Sequence, residues 1–349
     1  MNPSQYISDA AEVASFCYER NRMSIIQTKG LNKIYRRFEK EPGLAGSIKS
    51  LFNRKFTEKH AVSDFDLTVD HGEFVGLIGP NGAGKTTLVK MLTGIIAPTS
   101  GAVSVLGHYP NKLENAFKRQ YAVVMGQKSQ LFFELTPTDT FQLFKEIYDI
   151  PDADYKRNVD YFVELFGVSD LLNVQVRTLS LGERMKMELI VALLHSPQVL
   201  FLDEPTIGLD AVAQRQMRSF LAEVNRHNGT TILLTSHYME DVRSLCPRSV
   251  VINDGRKIYD GDTAALFSAY QTHKKITVIF DHETEFTLPQ GAVMREHSGH
   301  KFVFMAEKAE SGRILAHIAQ HYAPADISIE EEEIGNVVER IYAAGGESA

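Results

Sequence analysis

The sequence contains few cysteines, no secretory leader and no long apolar run. Its two cysteines, Cys17 and Cys246, stand far apart and form no C-x-x-C pair, so neither a disulfide framework nor a zinc site is indicated. No apolar stretch approaches the roughly 18 residues that a membrane-spanning helix requires. The first residues lack the basic start, apolar middle and small-residue cleavage site of a secretory signal. We therefore expect a protein of the reducing cytosol, in which any membrane role depends on a partner.

The chain also lacks a surplus of basic charge. Its 44 acidic and 37 basic residues give a formal net charge of −7. Broad binding to a nucleic-acid backbone usually needs a basic domain, so no nucleic acid is expected as a partner. The 349 residues, with 44% hydrophobic and 23% charged, are typical of a globular protein with two or three domains.

Two regions of different character follow the N-terminal extension of residues 1–23. Residues 24–262 alternate short β-rich runs with helical periods, which predicts an α/β domain with a largely parallel sheet. Within it, residues 128–195 lose the strand pattern and carry two amphipathic segments, a predicted helical subdomain. Residues 263–349 predict a small C-terminal α+β domain. The strands predicted for the core sheet are residues 74–78, 121–125, 199–203, 230–235 and 249–255.

The stretch GPNGAGKTT fits the phosphate-binding pattern G-x-x-x-x-G-K-[ST] and lies between a predicted strand and a predicted helix. Its glycines permit a backbone that points several N–H groups inward, and the helix N-terminus adds positive potential. Lys85 is expected to reach the β and γ phosphates of ATP, and Thr86 to offer its hydroxyl to Mg²⁺. The predicted nucleotide-binding residues of this loop are Gly79, Pro80, Asn81, Gly82, Ala83, Gly84, Lys85, Thr86 and Thr87.

The stretch VLFLDEP ends a strongly apolar run with two carboxylates, Asp203 and Glu204. A buried strand that stops here would deliver both side chains to the phosphate loop. Asp203 is then a predicted Mg²⁺ ligand, acting mostly through water. Glu204 is predicted to orient or deprotonate the water that attacks the γ phosphate.

Six motifs in chain order resemble the ATP-binding cassette (ABC) ATPases that drive transporters. GPNGAGKTT resembles their Walker A motif, LSLGE their signature and VLFLDEP their Walker B motif. Gln127 matches the Q-loop, Asp210 the D-loop and His237 the switch histidine. The resemblance spans roughly residues 25–262 and implies a P-loop NTPase cassette, with a mostly parallel core sheet, an antiparallel β part and a helical subdomain. Glu183, where the family more often has glutamine, does not change the expected ATP hydrolysis.

The resemblance implies that nucleotide is shared between two cassettes arranged head to tail. Ser180, Gly182 and Glu183 would then contact the γ phosphate of ATP held by the other subunit. The sequence supports this separately, because it has one phosphate loop and one signature, and the signature opens a helix whose N–H groups suit phosphate. The alternative for Ser180 is a helix N-cap that serves only its own helix.

The resemblance assigns roles to four more residues. His237 would contact the γ phosphate, and Gln127 would ligate Mg²⁺ or water and sense a membrane subunit. Asp210 would complete the site as part of the D-loop. Tyr35 is expected to stack on the adenine base, with Phe38 as the competing aromatic residue.

An insertion at about residues 37–60 departs from the family pattern. It carries an amphipathic run of Leu44, Ile48, Leu51 and Phe52 beside several basic residues. A helix near anionic lipid headgroups or a membrane partner is one interpretation, and an ordinary surface helix is the other. The C-terminal domain resembles a tail domain of cassettes that pair with separately encoded membrane subunits.

These features predict a subunit that binds and hydrolyses ATP and powers an ABC transporter, with export as the expected direction. It would sit at the cytoplasmic side of the inner (plasma) membrane as a peripheral protein, with ATP and Mg²⁺ as cofactors. Its partners would be integral membrane permease subunits and a second cassette, identical or similar. The alternative is a soluble ABC ATPase that acts on nucleic acid or ribosomes.

Overall fold

The computed structural model describes residues 24–39, 55–126, 128–236, 238–332 and 340 of the chain. The predicted N-terminal extension, the amphipathic part of the insertion, Gln127 and His237 lie outside the described residues. The chain divides into two compact units, the first ending at Gly261 and the second beginning at Asp262.

The first unit contains nine strands and seven α-helices among its described residues. The strands are β1 Ser24–Glu39, β2 Lys55–Asp70, β3 Phe74–Ile78, β4 Ser100–Val105, β5 Tyr121–Met125, β6 Val199–Asp203, β7 Thr231–Thr235, β8 Arg248–Asn253 and β9 Arg256–Asp262. The helices are α1 Lys85–Leu92, α2 Asn115–Lys118, α3 Pro137–Tyr148, α4 Asp152–Phe166, α5 Leu181–Leu193, α6 Ala211–Asn228 and α7 Met239–Leu245.

The core sheet has the strand order β5-β6-β7-β3-β8-β9. Strands β5, β6, β7, β3 and β8 pair in parallel. Every residue of β3, β6 and β7 is buried, which is the pattern of a parallel sheet covered on both faces. The α/β fold with a mostly parallel core sheet is therefore confirmed. The five predicted strands are present. Strand β7 begins one residue later than predicted, and β8 begins one residue earlier and ends two residues earlier.

A second, antiparallel sheet has the order β2-β1-β4. Strand β1 pairs with β2 as far as Glu39, which lies opposite Lys55. Both ends of the predicted insertion at about residues 37–60 are β-strand, because the backbone of residues 37–39 and 55–60 continues β1 and β2. These residues are in strands because hydrogen bonds between the two backbones extend the hairpin, and such bonds do not depend on an alternating side-chain pattern.

The helical segments follow β5. Helices α3 and α4 contain the two amphipathic runs that the sequence predicts, and α5 begins at the signature. Helix α3 starts with a capping box, in which Thr136 and Asp139 satisfy each other's backbone N–H groups. Phe166 of α4 stacks on Phe220 of α6, with ring centroids 3.6 Å apart. This stack joins the helical segments to the rest of the unit.

The second unit is α+β, as its sequence pattern indicates. The elements are α8 Thr263–Tyr270, β10 His273–Ile279, β11 Ala292–Ser298, β12 Lys301–Glu307, α9 Ser311–His321 and β13 Asp326–Glu331. The antiparallel sheet has the order β11-β12-β10-β13, and Ile314 and Ile318 of α9 pack into the core of this unit. Across the described ranges of both units, no helix has the length and apolar character to cross a membrane.

Candidate active site

The carboxyl ends of β3, β6 and β7 meet at one edge of the core sheet. The three strands are neighbours and run parallel, so the segments that follow them leave the sheet side by side. These segments are the glycine-rich loop after β3, Asp203 and Glu204 at the end of β6, and Ser236 after β7. In open α/β sheets, ligands bind at this edge.

The glycine-rich loop is held tightly against its surroundings. Gly84 has a φ of +113°, and a Cβ atom on it would lie 2.2 Å from the carbonyl oxygen of Ala61, so only glycine fits there. The Lys85 ammonium donates to the carbonyl oxygens of Gly79 and Pro80 at 2.7 and 3.1 Å. Burial lowers the pKa of Lys85, while the charges of Glu204 and Asp203 act in the opposite direction.

Two hydroxyl groups orient the carboxylate of Asp203. Thr86 Oγ1 donates to Asp203 Oδ1 at 3.1 Å, which brings the two predicted Mg²⁺ ligands together. Thr235 Oγ1 donates to the same oxygen at 2.6 Å. Sequence reasoning did not assign Thr235 a role, although its position at the end of an apolar strand beside His237 was a usable signal.

Glu204 stands at a strained backbone position. Its φ is +54°, a region that residues other than glycine rarely occupy. Its backbone N–H donates to Thr235, and its Oε1 lies 4.0 Å from Lys85 Nζ. Gly126, which precedes Gln127, packs against it so closely that a Cβ atom there would lie 2.2 Å from the Glu204 carbonyl oxygen. The segment after β5 and the segment after β6 are thus in close backbone contact.

A cavity of about 820 Å³ opens between this edge and the β1–β2 hairpin. This volume suits a nucleotide. Tyr35, whose ring is partly exposed, stands in its wall, as the sequence predicts for a base-stacking residue. The side chain of Phe38 lies outside the described residues, so the comparison between the two aromatic rings stays open. The predicted residues that line the cavity are Tyr35, Asn81, Gly82, Gly84, Lys85, Thr86, Thr87, Asp203 and Glu204.

Four basic side chains in the same wall were not predicted. They come from the β1–β2 hairpin, from α1 and from the segment after β5. A triphosphate carries several negative charges, so a basic wall favours its binding. The four side chains are those of Arg36, Lys59, Lys90 and Lys128. Arg36 directly follows Tyr35 in the sequence, whereas the fold brings the other three to the cavity.

The signature residues lie apart from this cavity. Ser180, Gly182, Glu183 and Asp210 are absent from its wall within the described chain. Ser180 caps α5: its Oγ accepts from the Glu183 N–H, and its own N–H donates to Glu183 Oε2 at 2.8 Å. The N–H and the hydroxyl of Ser180 both donate to Glu183 Oε2, and these two bonds hold the pKa of Glu183 below its usual value. Asp210 caps α6 by accepting from the N–H groups of two residues that follow it. The helix-cap alternative for Ser180 is therefore present in the single chain, and its role toward a second subunit stays a prediction.

The buried carboxylate of Asp241 links the segment after β6 to the segment after β7. Asp241 of α7 accepts from Thr206 Oγ1 at 2.5 Å, from Ser236 Oγ at 3.3 Å and from Arg218 at 2.8 Å. Thr206 follows Glu204 closely and Ser236 immediately precedes His237. Sequence reasoning missed Asp241, because its partners are brought together only by the fold.

Comparisons with known proteins agree with this geometry. A profile of the family described as ABC transporter matches residues 62–207. The chain is 34% identical over 226 residues to the ABC transporter ATP-binding protein NatA of Bacillus subtilis (strain 168), covering 64% of this chain and 90% of that protein. It is 37% identical over 221 residues to the Nod factor export ATP-binding protein I of Burkholderia lata, covering 62% of this chain and 70% of that protein.

Solved structures share the fold. An ATP-binding subunit of an ABC transporter superimposes with a TM-score of 0.58 at 26% identity, covering 70% of this chain and 93% of that chain. A dimeric ATP-binding cassette in a post-hydrolysis state superimposes with a TM-score of 0.55 at 20% identity, a likeness of fold alone.

Proposed function

Since the chain belongs to the ABC transporter family, as an ATP-binding protein that hydrolyses ATP, we propose that it powers an exporter from the cytoplasmic face of a membrane. It would do so as a head-to-tail dimer on separately encoded membrane subunits. The observation that carries this proposal is the meeting of Lys85, Thr86, Asp203 and Glu204 at one edge of the core sheet.

The residues of the cavity suit ATP. Tyr35 offers a ring for the adenine base at one part of the wall, and the glycine-rich loop offers backbone N–H groups and Lys85 for the phosphates. The Lys85 ammonium now donates to two carbonyl oxygens of its own loop. A bound phosphate would replace these acceptors with charged ones, which form stronger hydrogen bonds.

Thr86 and Asp203 are the residues that would hold Mg²⁺. Their oxygens lie 3.1 Å apart, and a hydroxyl with a carboxylate is the hard-oxygen set that this ion prefers. When bound, the ion would neutralise charge on the β and γ phosphates. Gln127 is the third proposed ligand, from its place in the sequence alone.

Glu204 is the proposed group that orients and deprotonates the attacking water. Its strained backbone directs the side chain toward Lys85 and the phosphate loop, and its N–H is fixed by Thr235. A carboxylate in this position can accept the proton as the oxygen–phosphorus bond forms. His237 would contact the γ phosphate from the adjacent segment.

A second subunit would complete the site. Ser180, Gly182 and Asp210 do not line the cavity of their own chain, and the signature helix presents its N-terminus elsewhere. A helix N-terminus with a serine and a glycine suits a phosphate group. This arrangement supports the proposal that these residues serve the ATP of a partner cassette.

Exposed apolar side chains support docking on a membrane subunit. Phe132 and Phe133, which follow Gln127 closely in the chain, and Ile147 of α3 are large apolar residues exposed to solvent. The Arg184 guanidinium lies 5.7 Å from the Phe133 ring centroid. We propose that a cytoplasmic segment of the permease covers Phe132 and Phe133. The export direction rests on relatives such as the Nod factor export protein.

The test replaces Glu204 with glutamine, which keeps the shape and removes the base. We expect ATP hydrolysis, measured as phosphate release, to fall about 100-fold or more, while ATP binding persists. Glu240→Gln, an exposed acidic residue on α7, is the matched control and should keep full activity. Unchanged hydrolysis by Glu204→Gln would refute the assignment.

The partner is tested by purifying the tagged chain from detergent-solubilised membranes. Recovery with an integral membrane subunit is the expected result. Recovery with ribosomes or nucleic acid instead would favour the soluble alternative and contradict a transport function.

A further inference from the structure

The buried carboxylate of Glu188 has no role in the chemistry described above. It lies on α5, the helix that begins at the signature, and only 4% of the residue is exposed. A carboxylate is rarely buried this far unless it is paired or hydrogen-bonded. Its partners therefore indicate what the residue does.

One oxygen of Glu188 collects three donors from a single segment. Oε1 accepts from the Ser129 hydroxyl, from the Gln130 N–H at 2.8 Å and from the Leu131 N–H at 3.4 Å. Ser129 is the second residue after Gln127 in the chain. Glu188 thus binds the segment that follows Gln127, the proposed ligand of Mg²⁺ or water.

The other side of the same segment is bound to the core sheet. The Gln130 side chain donates to the Val123 carbonyl oxygen of β5 at 2.8 Å, and the Lys128 N–H donates to Met125 at 2.9 Å. Residues 128–131 therefore join the core sheet to α5. The carboxyl group of Glu188 holds residues 128–131 from the side of α5, and its Oε2 has no hydrogen-bond partner among the described residues.

Helix α5 also begins with Ser180 and Gly182. Residues 128–131 therefore connect two elements to which the proposed function assigns contacts with bound Mg²⁺–ATP, the segment at Gln127 and the signature helix. We propose that Glu188 is a positioning residue, which holds the segment after Gln127 in register with the signature helix. A displacement of α5 would then move that segment, and with it the geometry at the γ phosphate. This inference rests on the proposed function, in which both elements act on ATP.

The test compares two replacements of nearly equal length. Glu188→Gln keeps a carbonyl oxygen for the three donors, whereas Glu188→Met fills the space and removes every acceptor. In the methionine variant we expect kcat for Mg²⁺–ATP hydrolysis to fall roughly 10- to 100-fold, because small misplacements of reacting groups cost that much. Affinity for a fluorescent ATP analogue should stay within about twofold, since Tyr35 and Lys85 are untouched. The glutamine variant should recover most of the rate.

A structural readout separates positioning from general damage. Hydrogen exchange of residues 129–131, measured by mass spectrometry on the full chain, should accelerate in Glu188→Met and stay slow in Glu188→Gln. Met187→Ala is the control, because Met187 is fully buried on the same helix and contributes no polar contact. It should lower the melting temperature without changing kcat or this local exchange.

A second variant keeps the inference testable if Glu188→Met does not fold. Ser129→Ala removes one donor and should lower kcat to a smaller extent. In the double variant with Glu188→Gln, Ser129→Ala should lower kcat to the same extent, because the glutamine carbonyl oxygen still accepts the Ser129 hydroxyl in the single variant. The inference would be overturned if neither Ser129→Ala nor Glu188→Met lowered kcat. It would also be overturned if Met187→Ala lowered kcat to the same extent as these variants. A wild-type chain without ATPase activity would contradict the proposed function itself.

Discussion

At the scale of single residues, the sequence identified the groups that carry the chemistry more readily than those that orient them. Lys85, Asp203 and Glu204 stand in motifs whose spacing is local, so their roles could be predicted. Thr235 and Asp241 act through contacts with residues 32 and 35 positions away. Such contacts depend on which strands become neighbours, which local spacing does not encode.

His195 provides a prediction about pH at this scale. Burial lowers its pKa to about 4 from an ordinary 6.5, while its hydrogen bond with the Tyr121 carbonyl oxygen acts in the opposite direction. The ring also stacks on Tyr148, with centroids 3.9 Å apart. The folded state therefore keeps this histidine neutral over a range in which the unfolded state binds a proton.

The free energy of unfolding should consequently be highest above pH 6.5 and fall as the pH drops toward 4. The contribution of His195 to this loss is about 3 kcal/mol between pH 7 and pH 4. Urea unfolding at several pH values measures it. His195→Phe keeps a ring for the stack and removes the titration, so its stability should fall less steeply with acid. Equal slopes in the two proteins would contradict the prediction.

At the scale of elements, the hydrophobic periodicity of the sequence predicted where strands and helices lie, and the pairing of neighbouring strands set where the strands end. The five core strands were predicted because each is a short apolar run bounded by turn residues. The length of the β1–β2 hairpin was not predicted, because residues 56–60 are mostly polar and exposed and are held in strand conformation by pairing with β1. Backbone hydrogen bonding sets the length of this hairpin, and the side-chain pattern does not reveal it.

Two capping boxes allow the roles of Ser180 to be separated. Thr136 begins α3 and Ser180 begins α5, each with an acidic residue at the third helical position. Thr136→Ala and Ser180→Ala should each lower the free energy of unfolding by about 1 kcal/mol. If Ser180 also binds phosphate, only its variant should lose ATPase activity, by roughly tenfold or more.

Thermal unfolding and phosphate release on both variants measure these effects. Thr136→Ala is the internal control for the loss of a helix cap. Equal activity in the two variants would leave Ser180 as a cap alone.

At the scale of the whole molecule, the position of the signature residues Ser180 and Gly182 favours a dimer of two cassettes. One phosphate loop and one signature occur in the chain, and the signature residues lie outside the wall of the nucleotide cavity. A head-to-tail dimer would give each ATP a loop from one subunit and a signature from the other. The contact would be isologous, as in most two-fold symmetric dimers.

Mixing two impaired variants tests this assembly. Lys85→Ala and Ser180→Ala should each retain about a tenth of the wild-type activity or less, because every composite site then lacks one part. In an equal mixture that exchanges subunits, half of the dimers are mixed and each contains one intact site, so about a quarter of the sites are restored. Phosphate release from the mixture measures this recovery. A mixture no more active than its components would contradict a site shared in this way.

The sequence by itself determined the α/β core, the phosphate loop, the two carboxylates and the family resemblance, since each depends on residues that are close in the chain. Only the tertiary structure placed Thr235 on Asp203, Gly126 against Glu204, and Glu188 under the segment after Gln127. These contacts arise because parallel pairing orders the strands β5-β6-β7-β3 and brings their carboxyl ends to one edge. Local spacing selects the chemical groups, and packing across the sheet fixes their geometry.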